Sequence, residues 1–425
     1  MRKALLALLL LFTLDTQAQS LYFPPISGNQ WQTLDPTELG WCSDSINALY
    51  NLLQQTNTKS FLVLKDGKIV LEKYFDSFTA DSFWYWASAG KTLTAFTLGL
   101  AAEQHLVDLL SPVSQYLGAG WSSAPPDKEQ QITVRNLLTM TSGLNDDVSN
   151  PDCTQPACLQ YLTDAGARWA YHNAPYTLLH EVIDSAAGNF NILFNNQLRN
   201  KIGMNGFWAT MDMYNKVYIS NMRSMARFGL LLLNKGIWNN DTLLHNETYF
   251  NEMTNTSQNL NLSYGYLTWL NGKVSFMIPG SQLVLPGPII PDAPNDMFMA
   301  LGKNDQKIHV VPSRGIVVVR MGNAAYADQL VPMVLDKEIW KKLNNMSCTS
   351  TTNQVIQTEY HLIKSISQEQ LTLSQDAQFR PFIIFNMQGQ EVISGAYTSP
   401  IDLCTLPQGA YLIWCNGSTR LFSKF

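Results

Sequence analysis

Strand-like segments stand on both sides of a helical block, and that order constrains the fold more than any single motif. Residues 61–64 and 69–75 read as strands, and Asp66-Gly67 between them is a tight-turn pair, so a hairpin is expected. From about residue 93 to 220 the periodicity is mostly helical, with loops rich in Pro, Ser and Asp; stretches 93–105, 133–141 and 176–188 are examples. Another helix is predicted over 222–233, stopped near Gly236. Strand-like segments return at 264–270, 273–278, 297–301, 307–311 and 315–321, and a helix over 327–343 closes the series. Strands, a helical insertion, strands again and a closing helix describe an α+β domain. With 425 residues, 46% of them hydrophobic, the chain can bury a large core, which excludes wholesale disorder.

The flanks differ in character. Residues 1–20 place Arg2 and Lys3 before an apolar run over 4–14 and then small and polar residues around Ala18, the pattern of a cleaved signal peptide. That run is too short to span a bilayer, and no other segment is longer, so no transmembrane segment is expected in the mature chain. The main domain is expected over 21–348. Residues 349–364, rich in Thr, Asn and Gln, read as a linker. Beyond it, short segments at 371–373, 381–386, 391–394, 410–415 and 420–424 alternate with Gly and Pro turns, which predicts a small all-β module over 365–425.

Six cysteines (42, 153, 158, 348, 404 and 415) suit an oxidising destination. Spacing suggests Cys153–Cys158 across a short Pro-containing loop and Cys404–Cys415 across the turn at Leu406-Pro407-Gln408-Gly409, leaving Cys42 with Cys348. No C-x-x-C, H-E-x-x-H or zinc-spaced Cys/His cluster appears, so no metal is expected. Twenty-eight Lys and Arg against 33 Asp and Glu give a net charge of −5, which leaves no basic footprint for a nucleic acid.

Chemistry concentrates in Trp86-Ala87-Ser88-Ala89-Gly90-Lys91-Thr92-Leu93, which holds an S-x-x-K. An aromatic strand-like run leads into a helix that begins near Ser88, and a lysine three positions on lies one turn away on the same face. A serine hydroxyl becomes a nucleophile when a base takes its proton, and a desolvated lysine can be that base. The blander reading, a helix cap followed by a solvated lysine, is weighed against two further features. Tyr171-His172-Asn173 forms a Y-x-N in a loop between helices. Phe298-Met299-Ala300-Leu301-Gly302 leads into a strand near the other end of the domain. The six histidines are scattered and pick out no triad base; His172 is read as a packed or exposed loop residue. The residues around Ser88 lack the first Gly of G-x-S-x-G, so that strand-to-helix elbow is not supported.

Together these features resemble the serine β-lactamase and penicillin-binding-protein superfamily, particularly its class C-like esterase and amide-hydrolase branch. Supporting stretches are Leu137-Leu138-Thr139-Met140-Thr141-Ser142-Gly143-Leu144, Met225-Ala226-Arg227-Phe228-Gly229-Leu230 and Lys65-Asp66-Gly67-Lys68, and the resemblance covers roughly residues 40–345. It implies an antiparallel sheet flanked by helices with a helical subdomain, followed by a small C-terminal β-sandwich. It implies Ser88 as the acylated nucleophile, Lys91 as its base and Tyr171 as a second acid/base. Asn173 would bond the substrate, and the backbone N–H groups of Ser88 and Lys303 would form the oxyanion hole, with Ala300 and Gly302 in the third motif. A second Y-x-N, Tyr249-Phe250-Asn251, lies inside a helical stretch and reads as chance.

One departure bears on substrate. The superfamily usually has a Lys or His where Ala300 stands, a cation that grips a substrate carboxylate. Its absence favours esters or small amides over β-lactams and D-Ala-D-Ala peptides. Asp305 is a second oddity that would crowd or recharge the site, while Lys303 or Lys307 would restore a cation. The expected function is an exported serine hydrolase working through an acyl-enzyme without a cofactor. The alternatives are a penicillin-recognising D-Ala-D-Ala peptidase or β-lactamase, and a non-catalytic surface binding protein on a decayed hydrolase fold.

The tail resembles the C-terminal sorting domain of the type IX secretion system of Bacteroidetes, through Phe385-Asn386-Met387-Gln388-Gly389-Gln390-Glu391-Val392, Ile401-Asp402-Leu403 and Leu406-Pro407-Gln408-Gly409-Ala410-Tyr411-Leu412-Ile413. This resemblance implies an outer-membrane export machinery as partner of residues 365–425 and a secreted or cell-surface destination.

Overall fold

A computed structural model of the chain describes residues 21–326, 333–348, 363–367, 369–374, 377–387, 389–415 and 418–424. The expected leader and residues 349–362 of the expected linker lie outside the described residues.

Thr58–Lys65 and Lys68–Tyr74 form the expected hairpin. Asp66 at φ 49° and Gly67 at φ 84° both take the left-handed turn conformation that matches strand twist. A Cβ at residue 67 would lie 1.8 Å from the Tyr22 carbonyl oxygen, so only glycine fits. The hairpin is one edge of a six-stranded antiparallel sheet. Its order is Lys68–Tyr74, Thr58–Lys65, Ile316–Gly322, Gln306–Val311, Phe298–Gly302 and Trp269–Leu270.

Side-chain parity divides this sheet into two unlike faces. Ile308, Val310, Val317 and Val319 share the face covered by the Met222–Leu233 helix. The two layers touch at Gly229, where a Cβ would sit 2.5 Å from Val317 and 3.0 Å from Ile308. Lys307, His309 and Arg320 lie on the opposite face, under the Val334–Asn344 helix. The Ser43–Gln55 helix packs beside that one. The Cys42–Cys348 disulfide and a Cys42 N–H to Met346 carbonyl bond of 2.8 Å tie the two ends of the domain together.

Buried polar groups on the second face demand partners, and they find them. Lys307 Nζ lies 2.5 Å from Asp336 and 2.9 Å from Asp305, and His309 Nε2 lies 2.6 Å from Asp336. Trp340 Nε1 donates to His309 Nδ1 at 3.2 Å, which leaves Nε2 as the protonated nitrogen facing the carboxylate. Arg320 donates to Thr58 Oγ1 at 2.9 Å and to the carbonyls of Thr56 at 2.7 Å and Asp305 at 2.8 Å.

The helical insertion is built around Gly90–Glu103, which carries no charge between Lys91 and Glu103 and is buried along nearly its whole length. Shorter helices, a 15-residue helix at Asn173–Ala187 and a three-stranded antiparallel sheet surround it. In that sheet Trp84–Tyr85 pairs with Asn215–Ser220, which pairs with Phe207–Met211. The aromatic run before Ser88 is thus a two-residue strand, and a 3-10 turn over Ala87–Ala89 precedes the helix. Two sequence expectations shorten. Of residues 264–270 only Trp269–Leu270 is strand, and of 273–278 only Ser275–Phe276. The closing helix runs Val334–Asn344; residues 327–332 of its expected span lie outside the described residues.

The C-terminal module is two antiparallel sheets. One contains Ile363–Ile366, Gln370–Leu373 and Ile401–Asp402; the other orders Glu391–Ala396, Pro381–Asn386, Gly409–Cys415 and Ser418–Lys424. Leu371, Leu373, Ile384, Leu403, Ile413 and Cys415 build a core between them. The expected Cys404–Cys415 disulfide is not formed. Cys415 points into that core at the end of its strand, whereas Cys404 lies exposed on a turn. Cys153–Cys158 and Cys42–Cys348 are both formed.

Burial alone would raise the Asp336 carboxyl, but the charge of Lys307 and the bond from His309 hold it below its ordinary 3.8. Its stabilising contribution is therefore present above pH 3.8 and is lost as pH falls below that value. Asp336→Asn is expected to cost roughly 3–5 kcal/mol at pH 7. Denaturant titrations of the two proteins should converge as pH is lowered through 4 to 3.

Candidate active site

Ser88 sits on the 3-10 turn between the Trp84–Tyr85 strand and the Gly90–Glu103 helix, half-buried, with Ala87 before it in a left-handed conformation at φ 48°. Lys91 is one turn on, and its Nζ donates to Ser88 Oγ at 2.8 Å. The lysine is 2% exposed. Its ammonium lies 4.0 Å from the centre of the Tyr176 ring and 4.9 Å from that of Tyr171. Burial pulls Lys91 down to about 7 from an ordinary 10.5, against the opposing charge of Asp152. The S-x-x-K is therefore a desolvated pair, and the solvated-lysine reading fails.

Tyr171 meets the same serine. Burial pushes the Tyr171 phenol well above its ordinary 10, against a smaller lowering from Ser88, so near neutral pH it carries a proton. The ring is held by stacking on Trp269 at 5.7 Å, an edge contact with Tyr264 at 6.2 Å and a tilted contact with Trp169 at 6.3 Å. The loop that delivers it is pinned by the Ala170 N–H to the Met140 carbonyl at 2.9 Å. Asn173 begins the Asn173–Ala187 helix, and its Oδ1 is buried without a hydrogen-bond partner. His172 between them is packed inside, and burial lowers its imidazole to about 4, so it is neutral.

The Phe298–Gly302 strand closes the other wall. A Cβ on Gly302 would lie 2.4 Å from the Trp86 carbonyl oxygen and 3.0 Å from the Ala89 nitrogen, so the strand edge runs directly against the turn bearing Ser88. Ala300 shares the Gly302 face by strand parity and is buried. Lys303 follows, exposed, at the start of a tight turn in which Asn304 and Asp305 are both left-handed, at φ 61° and 63°. Asn304 Nδ2 anchors this turn to the Tyr85 hydroxyl at 2.6 Å.

Two expectations about this wall are corrected. Asp305 neither crowds nor recharges the cleft, because its left-handed backbone turns the carboxylate inward to Lys307 and to the Ala325 N–H at 2.9 Å. Lys307 is fully buried between Asp305 and Asp336 on the far face of the sheet and supplies no cation at the cleft. The second Y-x-N lies elsewhere, with Tyr249 buried and donating to the Ala95 carbonyl at 2.6 Å. Tyr176 and Asp152 were not singled out from sequence. Tyr176 lies within the helical apolar pattern, and Asp152 carries no local signal beyond its place next to Cys153.

Ser88, Lys91 and Tyr171 thus come together from one helix start and one helix-preceding loop, with Gly302 against the Ser88 turn and Asn173 two residues beyond Tyr171 at the start of the next helix. A buried amine beside a hydroxyl can accept its proton, a protonated phenol can donate one, and backbone N–H groups can receive a developing negative charge. No group of three or more His, Cys, Asp or Glu suited to a metal occurs among the described residues.

Residues 51–333 match the Beta-lactamase family model. No curated protein matches the chain. Among solved structures, a putative 6-aminohexanoate-dimer hydrolase from Bacillus anthracis is similar at 19% identity with a TM-score of 0.54, over 70% of this chain and 82% of that one. A putative beta-lactamase from Bacteroides dorei is similar at 18% identity with a TM-score of 0.57, over 74% and 99%. EstCE1, a hydrolase with promiscuous acyltransferase activity, is similar at 12% identity with a TM-score of 0.51, over 71% and 100%.

Between about 7 and 10.5 the unfolded chain holds a proton on Lys91 that the folded one has shed, so stability rises with pH across that window. Lys91→Met is expected to be more stable than the parent at pH 6, by on the order of 4–5 kcal/mol. The gain should shrink steadily toward pH 10 in urea titrations.

Proposed function

The chain belongs to the beta-lactamase family, and from that premise we propose that it is a serine hydrolase that cleaves esters or small amides through an acyl-enzyme on Ser88. The observation that carries this reading is the buried Lys91 amine, 2.8 Å from Ser88 Oγ and brought down to about 7. Neutral Lys91 takes the Ser88 proton as Oγ bonds to the substrate carbonyl carbon. The carbonyl oxygen becomes an oxyanion, received by the backbone N–H groups of Ser88 and Lys303. Collapse of that adduct breaks the bond to the leaving alkoxide or amine, which is protonated by the Tyr171 hydroxyl, itself resupplied from Lys91. Water then gives its proton to the same pair, attacks the acyl carbon and releases the acid with Ser88 restored. Asn173 hydrogen-bonds the substrate beside the scissile bond.

Ala300 supports esters and simple amides over substrates anchored by a carboxylate, since the usual cation is absent and Lys307 is committed elsewhere. A putative 6-aminohexanoate-dimer hydrolase and a hydrolase with promiscuous acyltransferase activity among the similar structures support that range. Intact mass after fluorophosphonate treatment should show one adduct on the wild type and none on Ser88→Ala. The labelling rate should rise with pH and level off above about 7, where Lys91 is neutral. Lys91→Met should label roughly 10²–10⁴-fold more slowly. A well-folded wild type that takes no adduct would overturn the reading.

For residues 365–425 we propose the role of a sorting module read by an outer-membrane export machinery. Their own core cluster between two sheets supports a distinct module, which also rests on the main domain through Leu412 and the Ser281–Met387 bond, and the two disulfides suit an oxidising compartment. No helix among the described residues is long and apolar enough to cross a membrane. Ending the chain near residue 350 should retain the enzyme in the periplasm. Arrival of the shortened chain at the cell surface would overturn the sorting role.

A further inference from the structure

A carboxylate whose charge acts on Lys91 goes unused in the proposed chemistry. Asp152 lies on a turn fixed by its own N–H to Asn150 Oδ1 at 3.1 Å and by the adjoining Cys153–Cys158 disulfide. The Pro151 carbonyl accepts the Ala174 N–H at 2.9 Å, which lays this turn against the first turn of the helix that begins at Asn173. Asp152 is half-buried, and its Oδ1 is buried with no hydrogen-bond partner. Its charge is felt at both Lys91 and Tyr176, the lysine beside Ser88 and the ring beneath it. Asn173 Oδ1, next to the Ala174 contact, is a second buried acceptor without a donor.

Among the described residues, no ion pair answers that charge. The working form of Lys91 is neutral, His172 is neutral, Arg168 is paired with Asp146 at 2.7 Å, and position 300 is alanine. A buried carboxylate oxygen without a partner is costly unless something supplies donors. An ammonium group has three donors and no acceptor, which suits two unpartnered acceptor oxygens on segments joined by the Pro151–Ala174 hydrogen bond.

Resting on the serine-hydrolase reading above, we infer that Asp152, with Asn173, forms a cation subsite, and that the preferred substrates are esters or amides carrying an ammonium group a few bonds from the scissile carbonyl. The subsite replaces the anion grip lost at position 300 with its opposite.

Three p-nitrophenyl esters of equal length test this: β-alanyl, which ends in an ammonium; butyryl, which ends in a methyl; and succinyl, which ends in a carboxylate. The wild type should favour β-alanyl over butyryl by on the order of tenfold in kcat/KM, one well-placed charged hydrogen bond, and should disfavour succinyl. Asp152→Asn should bring the first ratio to about one, and Asp152→Glu should keep part of it. Removing the charge also shifts Lys91, but that alters all three esters alike, so the ratio isolates the subsite. A wild-type ratio near one, an unchanged ratio in Asp152→Asn, or a preference for succinyl would overturn the inference. Calorimetry on Ser88→Ala separates this outcome from failure of the hydrolase reading. β-Alaninamide should bind more tightly than butyramide there, and Asp152→Asn should remove the difference, whether or not Ser88 is acylated in the parent.

Discussion

Stripping water from the Lys91 amine is the constraint on which the site depends. An ammonium exposed to solvent on a helix start would hold its proton against any serine. Lys91 is instead enclosed by its own uncharged helix and by the rings of Tyr171 and Tyr176, and Tyr171 is itself fixed by Trp269, Tyr264 and Trp169. The attraction between ring faces and a cation works the other way, toward the charged form, as does Asp152. Desolvation outweighs both. The aromatic wall therefore acts chiefly by excluding water, and only secondarily by its quadrupoles.

The protein buries a second lysine and treats it in the opposite manner. Lys307 receives two carboxylates within 2.9 Å, and one of them also takes a histidine. That cluster reaches the site through backbone. Arg320 bonds the carbonyl of Asp305, and Asp305 and Asn304 are the left-handed residues next to Lys303. A turn of two left-handed, non-glycine residues is costly in isolation. Here it is held from one side by the buried ions and from the other by Tyr85. The edge facing Ser88 thus owes its position to charges on the far side of the sheet.

Much of this was legible because it is local. The hairpin is written in Asp66-Gly67, the Ser88–Lys91 contact in a three-residue spacing, and the tyrosine beside that pair in the Tyr171-His172-Asn173 motif. What was not legible depends on parity and distance. Asp305 looked like an intruder because nothing at residue 305 announces a left-handed φ. Lys307 looked available because its partner Asp336 lies 29 residues on, in a helix of its own. Cys404 and Cys415 looked paired by spacing, yet the pleat turns one inward and the turn leaves the other outside. Residues 264–270 looked like one strand, but the Gly265 N–H bonds the Thr268 carbonyl at 2.9 Å and folds the first half into a turn. Asp152 stayed invisible because a lone carboxylate in a loop acquires meaning only from what surrounds it.

The bond between Cys42 and Cys348, 306 residues apart, makes the main domain a closed ring of chain. In the chain-entropy account such a long closure removes about 6 kcal/mol of freedom from the unfolded ensemble. It also fixes topology: the segment leading toward the C-terminal module leaves the ring beside its own starting point, where Trp41 bridges Ser347. A cut anywhere beyond residue 348 leaves the ring unbroken. The bond thus holds the two ends together without help from any residue beyond 348.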